Sequence, residues 1–207
     1  MGRNAKDTGG GDFTPAPVGT HVARCYRIVD IGTQHGEYQG KPNSRNQVLV
    51  FWELPNEFYE YEHDGTRERK PFTVSKFYTN SLNEKANLRA DLESWRGRAF
   101  TEAELQGFDL ENIIGKPCMV TVIASGEKKV KVSNVTGLPK GFTCPDPFNQ
   151  SESFWIEEWN QQKFDALSDG IKKLIMKSDE YFALQNGSAQ PEARQTQSPP
   201  DDGEMPF

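Results

Sequence analysis

A chain of 207 residues with 35% hydrophobic side chains is long enough for one domain with appendages and too polar to be packed from end to end. Its net charge of −6 excludes an overall basic nucleic-acid-coating surface, but the acidity is local: residues 18–140 carry 17 basic against 16 acidic side chains, and residues 141–207 carry 5 against 12. No stretch approaches the roughly 20 apolar residues of a membrane span, and the segment from Met1 to Asp12 lacks a signal peptide's apolar centre, so a soluble cytoplasmic protein with no membrane partner is expected.

Residues 1–17 read as a flexible, Gly-rich leader. Val18 to Thr33 reads as a long, bent or bulged strand with mixed alternation, ending at Gly32 and leading into a polar loop from His35 to Asn46. Gln47 to Leu54 is the clearest strand, with Val48, Val50, Trp52 and Leu54 on one apolar face and Leu49 and Phe51 on the other; Pro55 stops it. The segment from Glu57 to Lys70 reads as a charged loop. It leads to a third strand, Phe72 to Thr79, with Lys76 and Tyr78 on one face and Ser75 and Phe77 on the other.

There the period changes from two to 3.6. Ser81 or Asn83 can cap a helix reaching Trp95, with Leu88, Leu92 and Trp95 on one stripe and Gly97 beyond its end. Thr101-Glu102-Ala103-Glu104 is a capping-box pattern announcing a short helix, and Asp109 starts a last turn before Gly115. Cys118 to Ala124 and Lys128 to Thr136 form two more strands around a turn at Ser125-Gly126, with Val130 and Val132 facing one way and Lys129, Lys131 and Ser133 the other. The expected fold is mainly β with helical additions: a five-stranded OB-fold barrel over 18–140, with a helix between its third and fourth strands. Residues 141–184 then form a wrapping segment and one C-terminal helix from about Gln161, whose stripe of Phe164, Leu167, Ile171, Leu174, Ile175 and Tyr181 packs on the barrel. Residues 185–207 have the composition of a disordered linker ending in an acidic tip.

Catalysis finds little support. Cys25, Cys118 and Cys144 form no CxxC pair and His21, His35 and His63 lack ligand spacing, so no metal or cofactor is expected. There is no Gly-rich phosphate loop, and Glu53, Asp64 and Asp91 sit in no motif that would assemble a two-metal nuclease site. The chain is therefore expected not to be an enzyme, a nuclease being the weakest reading.

The end of the chain is more informative. A polar linker closing on Asp201, Asp202, Glu204, Met205, Pro206 and Phe207 makes sense as a ligand: the Phe207 ring can fill an apolar pocket, its α-carboxylate can pair with a cation, and the acids can meet a basic ridge. The tip Asp201-Asp202-Gly203-Glu204-Met205-Pro206-Phe207 resembles that of bacterial single-stranded-DNA-binding proteins and phage proteins of the same role. The globular part is similar to the phage-encoded OB-fold members in Trp52-Glu53-Leu54, Glu84-Lys85-Ala86-Asn87-Leu88-Arg89, Trp95-Arg96-Gly97 and Gly115-Lys116-Pro117.

The resemblance implies a protein of a bacterial host cell that coats and protects single-stranded DNA in replication, recombination and repair. It also implies docking of replication and recombination proteins on the tip, and a homo-oligomer is compatible with it. Such a groove requires cations for phosphates and flat rings for bases. The candidates are Arg24, Tyr26 and Arg27 on the first strand, Phe51, Lys76, Phe77 and Tyr78 on the second and third, Lys129 and Lys131 on the fifth, and Arg45 in a loop that could close over DNA with Arg67, Arg69 and Lys70. The alternative is an interaction protein that uses the tip as a decoy in host repair-protein pockets.

Overall fold

The computed structural model describes residues 14–63 and 65–187, the side chains of Tyr38 and His63 excepted. Six strands, β1 (Gly19–Tyr38), β2 (Lys41–His63), β3 (Thr66–Thr79), β4 (Pro117–Ala124), β5 (Val130–Thr136) and β6 (Glu152–Phe154), form one sheet. Helices α1 (Asn87–Arg96) and α2 (Glu102–Gln106) lie between β3 and β4. Three more, α3 (Gln161–Asp165), α4 (Asp169–Ile175) and α5 (Asp179–Gln185), follow β6. No helix among the described residues is long and apolar enough to cross a membrane.

Both segments expected as loops between the first three strands are instead strand. β1 and β2 continue to a two-residue turn in which Gln39 and Gly40 take positive φ (52° and 75°), the twist that joins antiparallel strands tightly. β2 and β3 likewise continue, to His63 and from Thr66, pairing Tyr59 with Lys70, Tyr61 with Glu68 and His63 with Thr66. A two-stranded ribbon therefore extends from the sheet. A bulge between Leu54 and Phe58 marks where it leaves.

The strand order is β3-β2-β1-β4-β5, all neighbours antiparallel, with β6 added parallel to β1. β1 is bulged, as its mixed alternation leads one to expect, and the register shifts fall between Cys25 and Arg27 and between Asp30 and Gly32. The bend divides its second edge: residues 19–24 pair with β4, and residues 27–29 pair with β6. β3 and β5 are the two ends of the order, and no ladder joins them among the described residues. Helix α1 stands at that seam, where Gly137, just past β5, donates its N–H to Ser94 of the helix (3.2 Å). The sheet is accordingly open.

Two cores flank the sheet. The first gathers Val48, Val50, Trp52 and Leu54 of β2 with Leu88, Leu92 and Trp95 of α1, the stripe the sequence spacing predicts, and reaches back to Ala16, upstream of the expected leader boundary. The second lies on the opposite face, where Val29, Ile31 and Leu49 meet Phe154, Ile156, Phe164, Leu167, Ile171 and Ile175. The single C-terminal helix expected from Gln161 to Leu184 is in fact three short ones. Ser168 and Ser178 occupy N-cap positions, and Ser178 accepts from the Tyr181 N–H, because serine offers the backbone an alternative to continued helix.

Helix α5 is anchored at the second bulge of β1. Glu180 accepts from the Thr33 N–H (2.6 Å), the Thr33 hydroxyl (2.7 Å) and Asn46 Nδ2 (3.1 Å). Burial raises the Glu180 pKa, but the Thr33 and Asn46 hydrogen bonds outweigh it and hold the carboxyl below its ordinary range. Gly32 permits this approach: its φ is +67°, and a Cβ there would lie 2.6 Å from Ser178 Cβ and 2.5 Å from Glu180 Oε2. Gly32→Ala is expected to cost about 1–3 kcal/mol, from the left-handed backbone and the clash together, read as a lower urea midpoint with unchanged slope.

Candidate nucleic-acid interface

The ten side chains proposed to meet DNA separate into three places. Arg24, Tyr26, Arg27 and Phe51 lie on β1 and β2, where the chain's own C-terminal part occupies the face. Arg24 donates to Gly115 O (2.7 Å) and, in the wrapping segment, to Pro145 O (2.8 Å). Arg27 pairs with Glu152 and stands 5.6 Å from the ring centroids of both Tyr26 and Phe51. Tyr26 is buried, its hydroxyl bonded to the Thr73 side chain, and burial pushes its pKa up. Phe51 packs on the second core. Glu53, on the same face, is fully buried and accepts from Phe148 N (3.2 Å), Asn149 N (2.8 Å) and Asn149 Nδ2 (2.7 Å). These four candidates engage the chain itself.

The second place is the seam between β3 and β5. Ser75, Lys76, Phe77, Lys131, Ser133 and Asn87 line a groove of ≈ 540 Å³ there. The Phe77 ring is 52% exposed at its lip and Lys131 is exposed. Lys76 alternates with Tyr78 as expected, but Tyr78 is buried in the first core with its hydroxyl on Asp91 Oδ2 (2.6 Å), an environment that drives its pKa far up and leaves no ring face for a base. Lys129 lies in the turn before β5 and not on the strand, its carbonyl accepting from Ser125 N (2.8 Å). The third place is the β1–β2 hairpin, where the exposed Arg45 lines a pocket of ≈ 260 Å³ with Gln34, His35 and Glu37.

The ribbon of β2 and β3 adds residues that the sequence reading passed over. Tyr59 lies 5.0 Å from Phe72 and 5.9 Å from Tyr61, centroid to centroid, so three half-buried rings run in a row along one face. Lys70 Nζ sits 4.6 Å from the Tyr61 ring, and its pKa is raised, first by its hydrogen bond with Tyr61; the Tyr61 hydroxyl donates to Glu68. On the other face the Arg69 guanidinium lies 4.1 Å from the Phe58 ring, and Glu62 pairs in register with Arg67. Arg67, Arg69 and Lys70 are exposed. The available signal was Tyr59 and Tyr61 alternating ahead of Asp64-Gly65, a turn pair that the surrounding charges made look like loop.

Tilted rings held in a row on a paired ribbon, with Lys70 beside them, can stack planar groups while neutralising an anion. Of the carboxylates weighed for a metal site, Glu53 is capped by amides and Asp91 is bound to Lys76 and Tyr78; Asp64 lies outside the described residues. The tip residues Asp201, Asp202, Glu204, Met205, Pro206 and Phe207 also lie outside them. No family model and no curated protein matches the chain.

Proposed function

We propose that the chain binds single-stranded DNA without sequence specificity, on an OB-type barrel left open between β3 and β5, and that residues 201–207 recruit replication and recombination proteins. The observation that carries the DNA reading is the composition of β3 and its partner ribbon. One end holds the row Phe72, Tyr59 and Tyr61 beside Lys70, with Arg67 and Arg69 on the opposite face of the ribbon, and the other holds the exposed Phe77 above Lys76 and Lys131. The 14 residues of β3 span about 43 Å at a strand's rise, a length over which several nucleotides can lie. The strand order supports the barrel reading, because β3 and β5 are the strands whose pairing would close it.

Anisotropy of a labelled, unstructured oligonucleotide titrated with the full chain tests this at two salt concentrations. Binding is expected at low salt and should weaken with a log–log slope of about −0.7 per phosphate contacted. An unchanged anisotropy at 20 mM salt would exclude the reading. One observation favours the decoy instead: the C-terminal part covers the face of β1 and β2 that holds Arg24, Arg27 and Phe51. In that case the oligonucleotide stays free while a repair protein still binds the chain, and deleting 201–207 abolishes that binding.

A further inference from the structure

Lys76 alternates along β3 with Val74 and Tyr78, both buried in the first core, yet it carries a charge that a core position does not hold unpaired. Its side chain runs to the seam groove, where Nζ lies 2.6 Å from Asp91 Oδ2 and 3.2 Å from Ser133 O. The same oxygen of Asp91 takes the Tyr78 hydroxyl at 2.6 Å. Among the described residues lining the groove Asp91 is the one carboxylate; around it stand Lys76, Lys131, the hydroxyl of Ser75, the amide of Asn87 and the ring of Phe77, while the Ser133 hydroxyl donates to Thr121 O (3.1 Å). Apart from that carboxylate, this is the chemistry that receives a phosphodiester: an ammonium with two other donors, a second cation, and an apolar plane at the rim.

Resting on the single-stranded-DNA reading, we propose that the seam groove is a phosphate subsite and that Asp91 is its built-in competitor, an internal anion that occupies Lys76 and repels a backbone phosphate approaching it. The Asp91 carboxylate sets how firmly the groove holds the strand. Lys131, exposed on β5, makes the first contact, and Lys76 engages only as Asp91 yields. A purely structural Asp91 would act differently: it would staple α1 to β3 where backbone pairing with β5 is missing, and its charge would not matter to a ligand.

Asp91→Asn separates the two. The amide keeps the shape and one acceptor for Tyr78 or Lys76 and removes the charge. In the oligonucleotide titration the variant is expected to bind about five-fold tighter, with a salt slope steeper by about 0.7, as one more lysine meets a phosphate. Adding Lys76→Met should erase both gains. Ser75→Asp, which leaves the Lys76–Asp91–Tyr78 cluster intact and places a second carboxylate at the groove, should weaken binding by a similar factor and serves if the first variant does not fold. Affinity that is unchanged or lower in a folded Asp91→Asn protein, a gain that survives Lys76→Met, or indifference to Ser75→Asp overturns the inference while wild-type binding stands. A wild-type chain that leaves the oligonucleotide free overturns the DNA reading and this inference with it.

Discussion

Replacing Tyr59 and Tyr61 together by alanine is expected to lower the affinity for an unstructured oligonucleotide by roughly two orders of magnitude, since each stacked base contributes about 1–3 kcal/mol. The fold should survive. Neither ring belongs to either buried core, and each lost cross-strand contact costs about 0.2–1 kcal/mol on a ribbon pinned by its backbone ladder. The paired Phe variants keep the planes and lose only the hydroxyls, so they should bind like the wild type. Retained affinity in the alanine pair, with an unchanged melting curve, would move the stacking site off the ribbon and leave Phe77 as the ring to test.

Glu53→Ala should destabilise the protein by about 3–5 kcal/mol, a large part of the 5–15 kcal/mol that a domain possesses. A fully buried carboxylate survives because the N–H groups of Phe148 and Asn149 and the Asn149 amide converge on it. Removing it strips three donors of the wrapping segment of their shared acceptor at the segment's inner, half-buried side, and hydrogen bonds to a charged group are worth about 1.5–3 kcal/mol each. The wrapping segment should then loosen first. Urea denaturation at 25 °C measures the loss, and a change under 1 kcal/mol would show that the segment is held chiefly elsewhere, at Arg24 and Pro145. Glu53→Gln, with one acceptor oxygen left, should fall between.

What could be read in the sequence follows from where a single physical signal dominates. The stretch from Val48 to Leu54 announces a strand apolar on both faces, and both faces meet a core; Leu88, Leu92 and Trp95 announce a helical stripe, and the capping box at Thr101 and Glu104 forms as spelled. The ribbon was hidden because the charges of residues 57–70 outweigh the short alternation of Tyr59 and Tyr61, so the segment has the composition of a loop; the backbone ladder between residues 58–63 and 66–71 holds it instead. The first hairpin was hidden by its turn, since Gln39-Gly40 is not one of the common pairs.

The candidate site was partly legible for a related reason. That Lys76 inside a strand must find an anion follows from its charge, but that the anion is Asp91, 15 residues on in a helix, depends on how α1 lies against β3. Likewise, Tyr26, Arg27 and Phe51 have the right chemistry for a DNA-facing surface, and nothing in their own segment tells that Glu152 and the helices after it lie over them.

The short parallel strand β6 ties the order of synthesis to solubility. Val29, Ile31 and Leu49 leave the ribosome 105 to 146 residues before Phe154, Phe164 and Ile175, which shield them, so a nascent chain carries a naked aliphatic panel while the rest of its sheet assembles. Late translation closes that window, so a copy terminated before residue 154 is expected to expose the panel and aggregate even where the rest of its sheet can form.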